Sequence, residues 1–365
     1  MSHTSSTGAL VPGRRDPEVS QWARTVGAMT DPQLERDAYA TLLPVVLDPV
    51  LDAGAAELIL SGCRCLLVGE TREEYVARKM SPARIAAETP EAFRGLAARL
   101  AEIAGERVLV VVDQELGGIQ RLHKLVPPLP SVETARAMSD DQLAAAVEAT
   151  GRGMREIGVG LALSPVIDVV RGSNPWLSGR NLGSDPAVTA RIGRGYIRGL
   201  AAAGVIATAK HFPGSGPAET DPHDTPTRIT VPLAEYQEMH LAPFRAAVDA
   251  GVRAVMTGPA IVDAIDPANP ASLSPRVMGL LREDLGFSGV VISDDLDSRA
   301  IALGRSIEET AVLALQAGID LLLVGLAPAA RKAAHAVIAA VNDGRLDRSR
   351  VADAADRVRR LGQLS

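Results

Sequence analysis

Three apolar segments of the chain each end in ionisable side chains that could support acid–base or nucleophilic chemistry. The first ends in two carboxylates, the second in an amine and an imidazole, and the third in two adjacent carboxylates. These residues are Asp113, Glu115, Lys210, His211, Asp294 and Asp295. Helix caps and surface ion pairs explain one such group easily but three poorly. The placement therefore favours a functional site.

A further carboxylate–imidazole pair lies on the segment that follows His211. Asp221 and His223 are separated only by Pro222, a spacing at which a loop carboxylate can orient one ring nitrogen while the other faces a substrate. The chain from Lys210 could extend roughly 40 Å, enough to fold back over the strand ends. Alone, such a pair is also typical of surface contacts and helix capping, so its meaning depends on its neighbours.

Short runs rich in Val, Leu and Ile, flanked by glycine, must position these residues. The predicted strands are residues 43–47, 63–68, 107–113, 159–163, 205–209, 252–257, 289–293 and 320–324. Amphipathic stretches between them begin at capping boxes on Ser139 and Ser306 and at Asp185-Pro186. Eight such β–α units predict an α/β fold, a single-domain (β/α)8 TIM barrel whose strands meet at one catalytic rim.

Composition limits the partners and the compartment. The 365 residues carry a net charge of −6, and the basic residues are scattered, so nucleic acid is not expected. No segment reads as a signal peptide or a membrane span. Cys63 and Cys65 lack a second pair that would complete a metal site, so we interpret them as small buried residues. We predict a cytoplasmic protein with a flexible leader over 1–22 and one catalytic domain over 23–365.

Several ordered motifs resemble those of one enzyme family. Residues 210–216 read K-H-F-P-G-S-G and are followed by D-P-H at 221–223. Further motifs are D-Q-E at 113–115, Q-R-L at 120–122, S-P-V-I-D-V at 164–169, R-N-L-G-S-D-P at 180–186, L-R-E-D-L-G-F-S-G-V-V-I-S-D-D-L at 281–296 and A-G-I-D at 317–320. Together they resemble glycoside hydrolase family 3, specifically its β-N-acetylglucosaminidases of the NagZ type.

This resemblance implies a retaining glycosidase that acts through a covalent glycosyl-enzyme. Asp294 is then the nucleophile, and Asp221 with His223 forms the acid/base dyad. The implied sugar-binding groups are Asp113, Arg180, Lys210 and His211. Asp168 is implied to bind sugar or to act as a scaffold. The implied substrate is a small-molecule glycoside containing N-acetylglucosamine, with no metal or organic cofactor and no nucleic-acid or membrane partner.

Asp295 is a competing nucleophile. Because adjacent side chains on a strand point in opposite directions, we expect only one of Asp294 and Asp295 to face the rim. The family pattern favours Asp294.

Four stretches depart from the family pattern. Leu116 and Ser215 replace a glycine and a histidine, Gly258-Pro259 lacks the usual histidine, and Asp297-Ser298 replaces the usual residues after the nucleophile. Because the catalytic residues are all present, we expect an active hydrolase with an altered substrate range, such as a glycosylated small molecule or biosynthetic intermediate.

Other activities remain open from the sequence. A β-glycoside phosphorylase could use the same residues, because a histidine acid does not repel an incoming phosphate. A non-catalytic sugar-binding homologue and a lyase or aldolase with a Schiff base on Lys210 are two more. The aglycone, the linkage and the oligomeric state also remain open.

Overall fold

A computed structural model describes residues 31–363 as alternating strands and helices. The predicted leader over 1–22 lies outside the described residues. The strands are β1 (Leu42–Leu43), β2 (Val45–Val46), β3 (Cys65–Val68), β4 (Leu109–Val112), β5 (Val159–Ala162), β6 (Ile206–Phe212), β7 (Arg228–Ile229), β8 (Ala254–Thr257), β9 (Ile261–Val262), β10 (Val290–Ile292) and β11 (Leu322–Leu323). The α-helices are α1 (Pro32–Ala40), α2 (Ala53–Ser61), α3 (Arg72–Ala77), α4 (Pro82–Ala87), α5 (Pro90–Ala104), α6 (Val132–Ala137), α7 (Asp140–Glu156), α8 (Pro186–Ala202), α9 (Leu233–Met239), α10 (Ala242–Asp249), α11 (Pro275–Gly279), α12 (Arg299–Ala302), α13 (Ile307–Ala317), α14 (Ala327–Asn342) and α15 (Arg348–Gly362). Short 3-10 turns cover His123–Leu125 and Ala271–Leu273, and a π-helical turn covers Leu280–Asp284.

The central sheet is parallel. Seven strands lie in the order β10-β8-β6-β5-β4-β3-β2, and β1 pairs separately with β11. A parallel bridge between Ile292 and Leu321 connects the end of β10 to the residue before β11. All of these strands therefore deliver their carboxyl ends to one side of the sheet, which confirms the predicted α/β class with a parallel sheet.

Every predicted strand overlaps an observed one. The predicted strand 205–209 ends too early, because β6 continues to Phe212 and includes Lys210 and His211. There are two further differences. The segment 43–47 is divided at Pro44, which has no N–H to donate, so β1 pairs with β11 while β2 pairs with β3. The short parallel pair β7 and β9 was not predicted. It lies beyond the carboxyl ends of β6 and β8, in the connections that surround the rim.

The predicted helix starts are confirmed. Ser139 and Ser306 accept hydrogen bonds from the third helical residue, whose side chain bonds back in a capping box. Asp185 caps α8, which opens on Pro186. Within residues 31–363, no helix is both long and apolar enough to cross a membrane.

Two apolar layers sandwich the sheet. Alternate strand residues, such as Cys65, Leu67 and Leu161, form an inner cluster on one face of the sheet. The other strand residues pack outward against the helices in a larger cluster that includes Cys63. Val358 and Leu361 of α15 join the inner cluster. Because both faces are buried, the strands read as continuous hydrophobic runs.

Candidate active site

A cavity of about 180 Å³ lies at the carboxyl ends of the strands. Its polar lining is Glu70, Tyr75, Asp113, Arg180, Lys210, His211, His223, Asp294 and Asp295. Its apolar floor includes Leu67, Leu163, Met256 and Leu323. A larger cavity of about 530 Å³ opens at the amino ends of the strands, where Arg253 and Arg357 line it and no carboxylate of the described chain does. Since acid–base groups converge only on the smaller cavity of the two, we place the site there.

Four paired charges lie together at one side of this cavity, and we term them the charged wall: Asp113, Glu115, Arg180 and Lys210. Asp113, Arg180 and Lys210 line the cavity, while the buried Glu115 lies behind them. Lys210 Nζ lies 2.5 Å from Asp113 Oδ1 and 2.9 Å from Glu115 Oε1. Arg180 donates from Nη2 to Glu115 Oε1 at 2.7 Å and from Nε to Oε2 at 3.0 Å. The wall is thus a network of mutually compensated charges that are already in place.

The pKa values of the wall follow from this pairing. Burial opposes ionisation of Glu115, but the charges of Arg180 and Lys210 outweigh it and hold the pKa of Glu115 well below its usual range. Burial likewise opposes protonation of Lys210, yet Asp113 and Glu115 raise its pKa. Glu115 and Lys210 are therefore both charged at neutral pH.

The loop after β4 is shaped to hold Glu115. The backbone N–H of Ile119 donates to Glu115 Oε2 at 3.1 Å. A side chain at Gly118 would overlap the Glu115 carboxylate and Arg180. The glycine is therefore required by close approach, because only a residue without Cβ leaves room for the ion pair.

Tyr75 of α3 connects the wall to the dyad. Its hydroxyl accepts hydrogen bonds from Trp176 Nε1 at 2.8 Å and Arg180 Nη1 at 2.9 Å. Its ring centroid lies 5.1 Å from that of His223. Burial raises the pKa of Tyr75 to about 12, so the phenol stays neutral and acts here as an acceptor.

His211 is fixed by a buried carboxylate beneath it. Asp168 Oδ2 accepts from the His211 backbone N–H at 3.0 Å and lies 2.8 Å from Nδ1. Asp168 Oδ1 accepts from the Ser215 backbone N–H. Trp176 packs against the His211 ring with centroids 4.4 Å apart. Asp168 does not line the cavity, so of its two predicted roles the structure favours the scaffold.

Asp294 and Asp295 both line the cavity. The expectation that only one faces it is wrong, because β10 ends at Ile292 and strand alternation no longer applies beyond that residue. Asp294 Oδ1 accepts from the Asp295 backbone N–H at 2.8 Å. Its Oδ2 is out of contact with solvent and accepts no hydrogen bond from residues 31–363. Burial, reinforced by the charges of Asp297 and Asp294, raises the pKa of Asp295 to about 6.

Within the dyad, the carboxylate of Asp221 orients the imidazole ring of His223. Asp221 Oδ1 lies 3.2 Å from His223 Nδ1 and accepts from the His223 backbone N–H at 3.0 Å. Burial acts to lower the pKa of His223, but the hydrogen bond to Asp221 and the charges of Asp294 and Asp295 raise it. Burial opposes ionisation of Asp221, while its bonds with His223 lower its pKa to about 2. Arg72 of α3 lies 3.6 Å from Asp221 and 3.2 Å from Asp224.

Most of the sequence-predicted site residues therefore converge on one cavity. Asp221 supports His223 from behind and does not itself line the cavity. The positions that depart from the family pattern also lie off the lining: Leu116, Ser215, Gly258, Pro259, Asp297 and Ser298. The idea that these substitutions reshape sugar recognition by direct contact thus receives no support from the described lining.

A family model described as the glycosyl hydrolase family 3 N terminal domain matches residues 81–361. The chain belongs to glycosyl hydrolase family 3. This confirms the resemblance predicted from the motifs and, with it, that the chain is a glycoside hydrolase by family.

Relatives of this family 3 chain are named for activity on hexosamines. A β-hexosaminidase of Stenotrophomonas maltophilia is 34% identical over 250 residues, which cover 66% of this chain and 74% of the relative. A β-N-acetylglucosaminidase from Paenibacillus superposes with a TM-score of 0.82 at 30% identity, covering 90% of this chain. The chain spans only 62% of that protein. A β-N-acetylhexosaminidase from Beutenbergia cavernae superposes with a TM-score of 0.79 at 26% identity, covering 90% and 98% of the two chains.

The sequence interpretation missed several residues on the lining of the family 3 site, among them Glu70, Tyr75 and Trp176. Glu70 lies two residues beyond β3, and the strand-end argument applied to the second strand would have found it. Tyr75 lies on α3, and no feature of the sequence marks it. Its role depends on how α3 packs beside the dyad, which is a property of the tertiary structure.

Proposed function

We propose that this family 3 chain is a retaining β-N-acetylhexosaminidase that removes a terminal β-linked N-acetylhexosamine from a small-molecule glycoside. One observation carries the proposal. Asp294 and His223 line the same cavity, and the buried Oδ2 of Asp294 accepts no hydrogen bond from residues 31–363. A nucleophile and a proton donor that share one small, charged cavity are what glycosyl transfer through a covalent intermediate needs.

In the first half-reaction, Asp294 Oδ2 attacks the anomeric carbon and the bond to the leaving oxygen breaks. The hydrogen bond from the Asp295 backbone to Oδ1 fixes the carboxylate while leaving Oδ2 free for the new bond. His223 gives its proton to the leaving oxygen, so the aglycone departs as a neutral alcohol. In the second half-reaction, His223 takes a proton from water, which attacks the anomeric carbon and releases Asp294.

The dyad supports both roles of His223. Asp221 engages Nδ1, which leaves Nε2 for the substrate and stabilises the imidazolium that must form in the second step. Burial acts to lower the pKa of His223, but the hydrogen bond to Asp221 and the charges of Asp294 and Asp295 raise it, which favours the protonated ring that must act as the acid.

The charged wall binds the sugar. Three of its members, Asp113, Arg180 and Lys210, line the cavity together with His211. Charged donors and acceptors of this kind replace the water hydrogen bonds that sugar hydroxyls lose on binding. Because the wall charges already compensate one another, they do not need to move when the sugar enters.

The substrate class follows from the relatives and from the cavity. The relatives are named β-hexosaminidase and β-N-acetylglucosaminidase, and a cavity of about 180 Å³ suits one terminal sugar better than an internal one. We propose that the aglycone is that of a glycosylated small molecule or biosynthetic intermediate.

We also propose that the strands close a single-domain (β/α)8 barrel. The pairing of β1 with β11 and the bridge from Ile292 to Leu321 support closure. The cytoplasmic location and the domain boundary between residues 22 and 23 stay predictions.

The proposal is tested with a fluorinated activated glycoside that traps the covalent intermediate, followed by peptide mass analysis. We expect the sugar mass on the peptide that contains Asp294. The variant Asp294→Asn should lose about four orders of magnitude in kcat on p-nitrophenyl N-acetyl-β-glucosaminide, because the nucleophile is removed.

Asp295→Asn is the matched control, since it changes the neighbouring carboxylate and should still be labelled at Asp294. An unlabelled but sugar-binding wild type would favour the non-catalytic alternative. Faster turnover with added phosphate, and release of a sugar phosphate, would favour the phosphorylase. A lyase or aldolase would instead be trapped on Lys210 by borohydride.

A further inference from the structure

Glu70 lines the sugar cavity, and the mechanism above gives it no role. It lies two residues beyond β3, so it is at the same rim as Asp113, which follows the neighbouring strand β4. As a whole residue Glu70 is half-buried. Its Oε2 atom, however, is out of contact with solvent and bonds to no side chain or backbone group between residues 31 and 363.

Two cations, Arg121 and Lys210, act electrostatically on Glu70, but both already bind other groups. Lys210 Nζ is bound to Asp113 and Glu115. Arg121 binds Glu88 through Nη1 and Nη2, at 2.7 and 2.6 Å, and the Gly69 carbonyl through Nε at 2.7 Å. Neither makes a hydrogen bond or a close ion pair with Glu70, although Arg121 contacts the residue immediately before it.

A buried carboxylate without a partner is unfavourable, and the group avoids the penalty by holding its proton. The charges that face Glu70 agree with this. Burial and the charge of Asp113 raise the pKa of Glu70 to about 8, with Glu115 adding to them and Arg121 and Lys210 opposing. At neutral pH Glu70 therefore has one O–H donor and one acceptor oxygen to offer to a ligand.

The position of Glu70 determines which part of the sugar it meets. In the seven-stranded order, β8, β6 and β5 separate β10, before Asp294, from β4, before Asp113. A sugar that places its anomeric carbon at Asp294 directs the other end of its ring toward Asp113 and Glu70. That end of an aldohexose ring carries hydroxyl groups, each of which can donate and accept.

We propose that Glu70 is a specificity-determining residue which, as a neutral carboxyl group, donates a hydrogen bond to a hydroxyl of the terminal sugar at the end remote from Asp294. Through this hydrogen bond, Glu70 selects an uncharged terminal sugar that carries a free hydroxyl group at that end. This inference rests on the proposed function, since it takes the sugar orientation from the role of Asp294.

The proposal fixes the sign of a pH effect on binding. Above the pKa of Glu70, the donor is lost and a second carboxylate stands beside Asp113, so sugar affinity falls as the pH rises. Glutamine has the shape of the neutral carboxyl group and keeps a donor and an acceptor, but it does not titrate. The variant Glu70→Gln should therefore bind at high pH as it does at neutral pH.

Direct calorimetric binding of N-acetylglucosamine to the full chain, from about pH 6.5 to about pH 9.5, tests this without requiring turnover. We expect Glu70→Gln to stay within about threefold of the wild-type Kd at the lower pH and to bind more tightly than the wild type at the upper pH. Glu70→Ala should bind about tenfold more weakly than the wild type at the lower pH. Glu73→Gln, the same change on an exposed position of α3, should follow the wild-type curve.

Each failure has a separate meaning. Wild-type affinity in Glu70→Ala at the lower pH overturns the inference alone. If Glu70→Gln and Glu70→Ala bind N-acetylglucosamine equally weakly, the inference is also overturned. That result would indicate that binding requires an ionised carboxylate, which suits a cationic amino sugar. If the wild type itself does not bind N-acetylglucosamine, the proposed substrate class fails and the inference fails with it.

Discussion

The charged wall and the dyad loop solve the same task, holding a functional group at the cavity, in different ways. The wall joins its members by ion pairs of 2.5–2.9 Å, and the side chains of Glu115, Arg180 and Lys210 are at most 3% exposed. The dyad is held by a 3.2 Å contact between side chains that are 22% and 28% exposed, and by Arg72 near the surface. The wall therefore depends on buried electrostatics, and the dyad on a loop supported from α3.

The two kinds of support suit two different tasks: fixed buried charges suit binding, and the imidazole held by one carboxylate suits proton transfer. A site that binds a sugar benefits from charges that are fixed in advance. An acid that must protonate one oxygen and then deprotonate a water benefits from a pKa set by one nearby partner. We infer that the wall contributes to affinity and to folding stability together, while the dyad contributes to the chemical step with little effect on folding.

The sharpest test of this comparison removes the acid and varies the leaving group. His223→Ala should lower kcat/KM by about 10²–10⁴-fold on an alkyl N-acetyl-β-glucosaminide, because that alcohol needs protonation to depart. With a p-nitrophenyl leaving group, which departs as an anion, the loss in the glycosylation step should be much smaller. Steady-state kinetics on the two substrates measures the contrast. Equal losses on both would mean that His223 binds substrate and does not act as an acid.

The next test removes a charge from the wall. Lys210→Met leaves Asp113 and Glu115 without their shared cation, so the free energy of unfolding should fall by about 3–5 kcal/mol. Urea denaturation followed by circular dichroism measures it. The control Lys124→Met lies on an exposed position and should change stability by less than about 0.5 kcal/mol. A Lys210 variant as stable as that control would contradict the link between binding and folding.

The smallest expected effect is a shift in the pH profile. Burial acts to lower the pKa of His223, and the hydrogen bond to Asp221 is the largest effect that opposes it. Asp221→Asn removes that charge, so the pKa of His223 falls and its proton is lost at lower pH. Since His223 must be protonated to act as the acid, the alkaline limb of kcat/KM on an alkyl glycoside should move to lower pH. An unmoved limb would show that Asp221 does not tune His223.

The strand pattern was predictable because both faces of the sheet are buried. Residues 65–68 and 109–112 are apolar throughout. Short apolar runs of this kind between glycines are typical of buried strands. The division of 43–47 at Pro44 was readable in principle, since proline cannot donate a ladder hydrogen bond. The β7–β9 pair was not, because two residues such as Arg228 and Ile229 carry too short a pattern to be separated from a loop.

The site was predictable where strand ends supply it, and less so elsewhere. Asp113 and Asp294 follow strand ends and Lys210 lies within the last three residues of β6, and the parallel sheet brings these strand ends together. Tyr75 reaches the site only because α3 packs beside the dyad. The orientation of Asp295 was predicted wrongly for a local reason: the strand rule was extended beyond Ile292, where β10 has already ended.

The floor of the cavity has a consequence for natural variation in this protein. Leu67, Leu163, Met256 and Leu323 line the cavity and also belong to the inner apolar cluster of the sheet. A change of side-chain volume at any of them alters the depth available to a sugar and the packing of the protein interior at once. Evolution can therefore change which sugars fit by exchanging apolar side chains that take no part in the ionic chemistry. Such exchanges are limited by what the interior tolerates, so the range of accepted sugars is coupled to how well the innermost layer packs.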